Sequence, residues 1–212
     1  AYEIRPRDWS SDVCSSDLRP RVVEQIVDLD DRRLDDYRNV SDPELLARGG
    51  IFMAEGRLVV ARLLQQARIP VRSLLLTATA HEALKTVVRA RPDVPLLEVP
   101  QTVMNAITGF NIHRGCLAVG IRPDPIGVTA LTTAAQRLVV VERLANADNV
   151  GSIFRNAAAL GADGIVLDQA SADPLYRKAL RTSMGTALQV PYARAQDWDG
   201  ALTELRLNGW NL

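Results

Sequence analysis

The stretch NADNVGSIFRNAAALGAD, from Asn146 to Asp163, lies between two apolar runs, RLVVVERL and GIVLD. It carries an amide at Asn149, a bare backbone position at Gly151 and a guanidinium at Arg155. Fully apolar runs of this length suit strands of a parallel sheet covered on both faces. In an open parallel sheet, ligands sit at the carboxyl ends of the strands, where loops enter the following helices. Glycine lets a backbone come close, helix N-terminal N–H groups favour anions, and arginine grips phosphate bidentately while staying charged. With a helix beginning near Val150, Arg155 falls in its second turn, and its side chain can lean back over the first. The set reads as the anion-binding mouth of an α/β domain. A plainer reading stands beside it: Asn149 caps the helix and Arg155 lies on its solvated face.

Other residues offer weaker chemistry. Glu55, Gly56 and Arg57 form a polar turn after IFMA; Arg57 is a candidate phosphate contact, and Glu55 equally a cap for the next helix. His113 and Arg114 in NIHRGCL suit a loop that touches RNA, although ordinary loop chemistry explains them as well. Arg177, Lys178 and Arg181 recur at spacings of three and four, one side of a helix. Such a basic stripe suits an RNA backbone, or simply a solvated face. Ser183 has no acid or histidine near it in sequence and is not a nucleophile, and Cys116 in an apolar run is a packing residue. The two histidines, His81 and His113, and the two cysteines, Cys14 and Cys116, show no metal-ligand spacing, so no metal site is expected.

These residues need elements to hold them. From Arg19 to Arg38 mixed charges predict a solvated helix or arm, and Ser41 or Asp42 with Pro43 starts a helix. Residues 46–122 then alternate strand and helix: GGIFMAEGRLVVARLLQQARIP reads as a short strand, a turn and an amphipathic helix, VRSLLLTA as a strand, AHEALKTVVRAR as a helix, DVPLLEVP as a strand, QTVMNAITG as a helix and CLAVGIRP as a strand. That alternation predicts one α/β layer domain. Two prolines and a glycine place a linker at 123–136. A second unit, 137–212, reads βαβαβα, with a helix capped by Ser171 or Asp173 ahead of Pro174.

Hydrophobic residues make up 47% of the 212, enough for two cores, and 24% are charged with a formal net charge of zero. A strongly basic nucleic-acid binder is excluded, so RNA must be met by a local patch. No run of 18 apolar residues predicts a membrane span, and two distant cysteines suit a reducing cytoplasm. The first 18 residues, AYEIRPRDWSSDVCSSDL, have neither helical nor strand period and resemble the translation of a sequencing-library adapter; they are set apart from the fold.

NADNVGSIFRNAAALGADGIVL resembles the first signature of the SpoU (TrmH-like) RNA 2′-O-ribose methyltransferases, of the SPOUT superfamily, and DPLYRKALRTSMGTALQVPY the stretch next to it there. FMAEGRLVVARLL and FNIHRGCLAVGIRP are similar to the ribosomal-protein-like substrate-binding domain often fused ahead of it. The resemblance runs from about Arg33 to Leu212. It implies methyl transfer from S-adenosylmethionine to a ribose 2′-hydroxyl of rRNA or tRNA. It implies too that Arg155 is a catalytic residue on the target phosphate, that Asn149 orients it, and that the intact protein is a homodimer. The family's Gly-Glu-Gly-like loop and Ser-Leu-Asn segment, which complete a trefoil knot and most of the cofactor pocket, do not occur before Leu212. The expectation is therefore an incomplete, C-terminally truncated SPOUT parallel-sheet domain with its cofactor-binding residues unassigned, inactive as it stands. The alternatives are a non-catalytic RNA-binding module and an unrelated α/β nucleotide enzyme; the latter needs a glycine-rich phosphate loop that the chain lacks.

Overall fold

In the strand IFMAE, Ile51 and Met53 pack to one side of a sheet and Phe52 and Ala54 to the other. This two-residue alternation, repeated in neighbouring strands, sets the first unit of the computed structural model, which describes residues 23–38, 41–108 and 115–212. The adapter-like residues 1–18, the start of the charged arm, and the RNA candidates His113 and Arg114 lie outside the described residues. The strands are β1 (Val23–Gln25), β2 (Ile51–Glu55), β3 (Val71–Leu76), β4 (Leu96–Glu98) and β5 (Cys116–Ile121). Their order is β1-β4-β3-β5-β2; β1, β4 and β3 run parallel, and β5 runs antiparallel to both β3 and β2.

Helices α2 (Arg57–Leu64) and α3 (Ala78–Arg89) bury Val60, Leu63, Leu84 and Val88 against Leu74 and Leu76 on one face. Helices α1 (Asp42–Gly49) and α4 (Gln101–Thr108) cover Leu75 and Leu97 on the other. Gly120 stands opposite Phe52 in the β2–β5 register, and a Cβ there would meet the Phe52 ring at 2.3 Å.

The charged arm is not solvated as expected. Val23–Gln25 adds an edge strand to β4, and a 310 turn at Arg32–Tyr37 buries Leu34 and Tyr37 in the core. Leu34 and Tyr37 are three apart, enough to anchor one turn while the charges between them stay outside.

In the second unit β6 (Leu138–Val141), β7 (Gly164–Leu167) and β8 (Tyr192–Arg194) form a parallel sheet in sequence order. Helices α6 (Ala147–Ala159) and α7 (Arg177–Thr182) cover one face, and α5 (Val128–Ala134) and α8 (Trp198–Leu207) the other. The linker expected at 123–136 is therefore only partly one. Ile126 bridges to Ala193, and Leu131 on α5 is buried against the sheet.

One hydrophobic cluster runs through both units, from Phe52, Val60 and Leu74 to Phe154, Leu167, Leu180 and Leu188. Polar ties seal its rim. The Arg177 side chain donates to Asp42 at 2.6 Å and its backbone N–H to the same carboxylate at 2.9 Å. Arg122 pairs with Asp173 at 2.5 Å, Arg62 donates to the Met184 carbonyl at 2.8 Å, and Arg68 to the Gln189 carbonyl at 2.9 Å.

Candidate active site at the carboxyl rim of the second sheet

Helix α6 begins earlier than the sequence suggests. Its N-cap is Asn146, whose side chain accepts from the N–H groups of Asp148 (2.8 Å) and Asn149 (3.4 Å). Asn149 is therefore neither the cap nor a turn residue; it lies in the first helical turn with its side chain exposed. The helix end is also a poorer anion site than expected. Two of its N–H groups are taken by Asn146, and Asp148 places a carboxylate in the first turn.

Gly151 serves the close approach of another helix, not of a ligand. It is buried, and a Cβ there would meet the Ala179 carbonyl oxygen of α7 at 2.5 Å. Beside this crossing the Thr182 hydroxyl donates to Asp148 at 2.9 Å. Arg155 is exposed and makes no hydrogen bond or ion pair with the described residues. Six residues of helix set it about 9 Å along the axis from Asn149 and about a third of a turn around. The two side chains share no hydrogen bond.

The basic stripe divides in the structure. Helix α7 starts at Arg177, three residues after the expected Pro174, with Tyr176 at the N-cap position and no side-chain cap. Arg177 is half-buried and engaged by Asp42, which leaves Lys178 and Arg181 exposed. Ser171 and Asp173 do not cap this helix: Ser171 serves Asp168, and Asp173 accepts from the Leu175 N–H. In the first unit Glu55 ends β2 half-buried and does not cap α2. That place belongs to Gly56, whose φ of 89° suits glycine, and Arg57 opens the helix exposed. Burial pushes the neighbouring Cys116 thiol up to about 12, in keeping with a packing role.

A polar network at the carboxyl ends of the strands went unread in the sequence. Asp168, just past β7 and buried, accepts from the Arg143 N–H at 3.0 Å, the Ser171 N–H at 2.8 Å and the Ser171 hydroxyl at 2.5 Å. Burial alone would raise its pKa, but these donors outweigh burial and hold the carboxyl below its usual value. Arg194, the last residue of β8, turns its guanidinium onto the carbonyls of Asp168 (2.7 Å), Ser171 (2.8 Å) and Ala172 (3.3 Å). The strand ends are thus tied across the sheet. An aspartate closing GIVLD was the available clue; which groups it would tie depended on pairing between distant segments.

With this geometry in place, comparison with known proteins is decisive. The sequence profile of the SpoU rRNA Methylase family matches residues 136–212. A tRNA/rRNA methyltransferase of Mycobacterium bovis, itself uncharacterized, is 39% identical over 194 residues, covering 90% of this chain and 67% of the relative. The chain belongs to the SpoU rRNA methylase family. Its fold agrees with that of an rRNA methyltransferase from Sinorhizobium meliloti, at a TM-score of 0.70 and 24% identity over 87% of this chain and 69% of that one. An RNA 2′-O ribose methyltransferase aligns at 0.65 and 21% identity over 86% and 69%. An AdoMet-bound form of the Sinorhizobium enzyme aligns at 0.70 as well. Among SpoU family features, the stretch from β6 through β8 carries the matched profile, and Arg155 and the Asp168 network both lie within it.

Proposed function

We propose that this SpoU family member serves the transfer of a methyl group from S-adenosylmethionine to a ribose 2′-hydroxyl of ribosomal or transfer RNA. Its first unit and the exposed Arg57, Lys178 and Arg181 lie along the RNA backbone. The observation that carries this reading is Arg155: a guanidinium without a protein partner among the described residues, on the helix that follows β6 in the stretch that matches the family profile.

Arg155 binds and orients. A guanidinium holds its proton too tightly to act as a general base, but it can grip the phosphate beside the target ribose with two parallel N–H groups. It also stabilises negative charge as the hydroxyl loses its proton. Asn149, about a third of a helical turn around, completes the polar edge that faces RNA. The cofactor supplies the electrophilic methyl group. The described rim does not by itself fit its adenosine: Asp168, Ser171 and Arg194 are all engaged by protein partners. The functional unit is a homodimer working in the cytoplasm.

The test is methyl transfer to ribosomal and transfer RNA by the protein, with labelled S-adenosylmethionine and mapping of the modified nucleoside. Label at a 2′-O-methyl position that disappears in Arg155→Ala, with unchanged melting, supports the reading. Label on a base, or an Arg155→Ala protein as active as its parent, refutes it.

A further inference from the structure

We propose that Arg143 is a further RNA-binding residue, a phosphate contact at the carboxyl rim of the second sheet; this rests on the RNA reading above. Its backbone is the first sign. Arg143 has φ of 52°, one of two non-glycine residues among those described with positive φ. In that region the Cβ crowds the backbone, so glycine, asparagine or aspartate usually stands there. The conformation is held from below. The Arg143 N–H donates to Asp168 at 3.0 Å, and the next N–H, of Leu144, donates to the Ser171 hydroxyl oxygen at 3.0 Å. Asp168 and Ser171 are both buried and bonded to each other. Glycine would make the same turn without the crowding, yet the chain puts its longest cation there. Strain that the surroundings enforce at a rim of this kind marks a position used for binding.

The charge inventory of the rim is the second sign. Three loops leave the carboxyl ends of the strands: 142–146, 168–176 and 195–197. Arg143 is the one lysine or arginine in them. The neighbouring Arg194 is turned back onto loop carbonyls. Arg143 is exposed and makes no side-chain hydrogen bond or ion pair among the described residues. It stands on the same strand–turn–helix unit as Arg155, one at the strand end and one along the helix. A guanidinium fixed at its Cα loses less freedom on gripping an anion than one on a loose loop. The pair would take adjacent stretches of one RNA backbone.

Glycine separates the side chain from the turn. Binding of a short fluorescein-labelled, single-stranded oligoribonucleotide of mixed sequence is followed by anisotropy across a salt series, for the parent chain, Arg143→Gly and Arg143→Lys. For Arg143→Gly we expect a melting temperature no lower than the parent's. Its affinity should be weaker by roughly three- to tenfold, and its log–log salt slope shallower by about 0.7, one phosphate contact on a single strand. Arg143→Lys should keep the slope. Equal affinity and slope for Arg143→Gly overturn this proposal alone, and so does a glycine variant that melts well below the parent, which would make the side chain a structural one. A parent chain that does not bind the oligoribonucleotide overturns the RNA reading, and this proposal with it.

Discussion

Gly151→Ala isolates the contact on which the geometry of the rim depends. In an isolated helix the change would help, because alanine is favoured over glycine by about 1 kcal/mol. Here the added methyl would lie 2.5 Å from the Ala179 carbonyl oxygen, 3.0 Å from its Cα and 3.0 Å from Thr182 Cβ. Two of these three atoms are backbone, so no side-chain rotation relieves the overlap. Helices α6 and α7 must separate by roughly 1 Å, and overpacking of this kind costs about 1–3 kcal/mol. The same movement stretches the 2.9 Å bond from Thr182 to Asp148, a further loss of about 1 kcal/mol. After the helical gain, a net loss of about 1–3 kcal/mol remains, a fall in melting temperature of roughly 2–10 °C for a chain of this size. Gly127→Ala is the control, since a Cβ there meets nothing within 4 Å. Thermal unfolding followed by circular dichroism reads both. If Gly151→Ala melts with Gly127→Ala, the close crossing of α6 and α7 is not as tight as described, and the positions given to Lys178 and Arg181 fall with it.

Asp42→Ala removes the carboxylate that accepts from both the side chain and the backbone N–H of Arg177 at the seam between the two units; we expect a loss of about 1–3 kcal/mol in urea unfolding. Asp168 titrates below the usual carboxylate value in the folded chain. Its stabilisation is complete above the unfolded-chain pKa near 4 and is lost as pH falls through the folded value. Asp168→Asn should therefore flatten the acid limb of stability against pH, in denaturant titrations from neutral pH downward. An unchanged limb would show that Asp168 does not carry it.

The strands were legible as short apolar runs, such as IFMA, and most helices by a strong apolar period, as in AHEALKTVVRAR. The start of α6 was not. Asn146 and Asn149 are three residues apart and either can cap; the choice falls to Asn146 because β6 ends at Val141 and the chain turns at Arg143. The arm misled because two buried anchors, Leu34 and Tyr37, are hidden among six charges between Asp30 and Asp36. The linker misled because prolines mark a turn but carry no signal for the helix beyond it, and Leu131 finds its place only against Gly164 of β7. Arg155 could be singled out in the sequence, since a βα junction is a local pattern. The Asp168–Arg143 and Arg194–Asp168 ties could not, because they join residues about 25 apart whose meeting depends on strand order.

The apolar cluster that passes from Phe52 to Leu188 makes the two halves thermodynamically inseparable. Whatever occupies the surface of one half stabilises the other through that common interior, so RNA held by the first unit would also raise the melting point of the second. Cutting the chain between them would not release two modules; each piece would carry an oily wound where its neighbour had been.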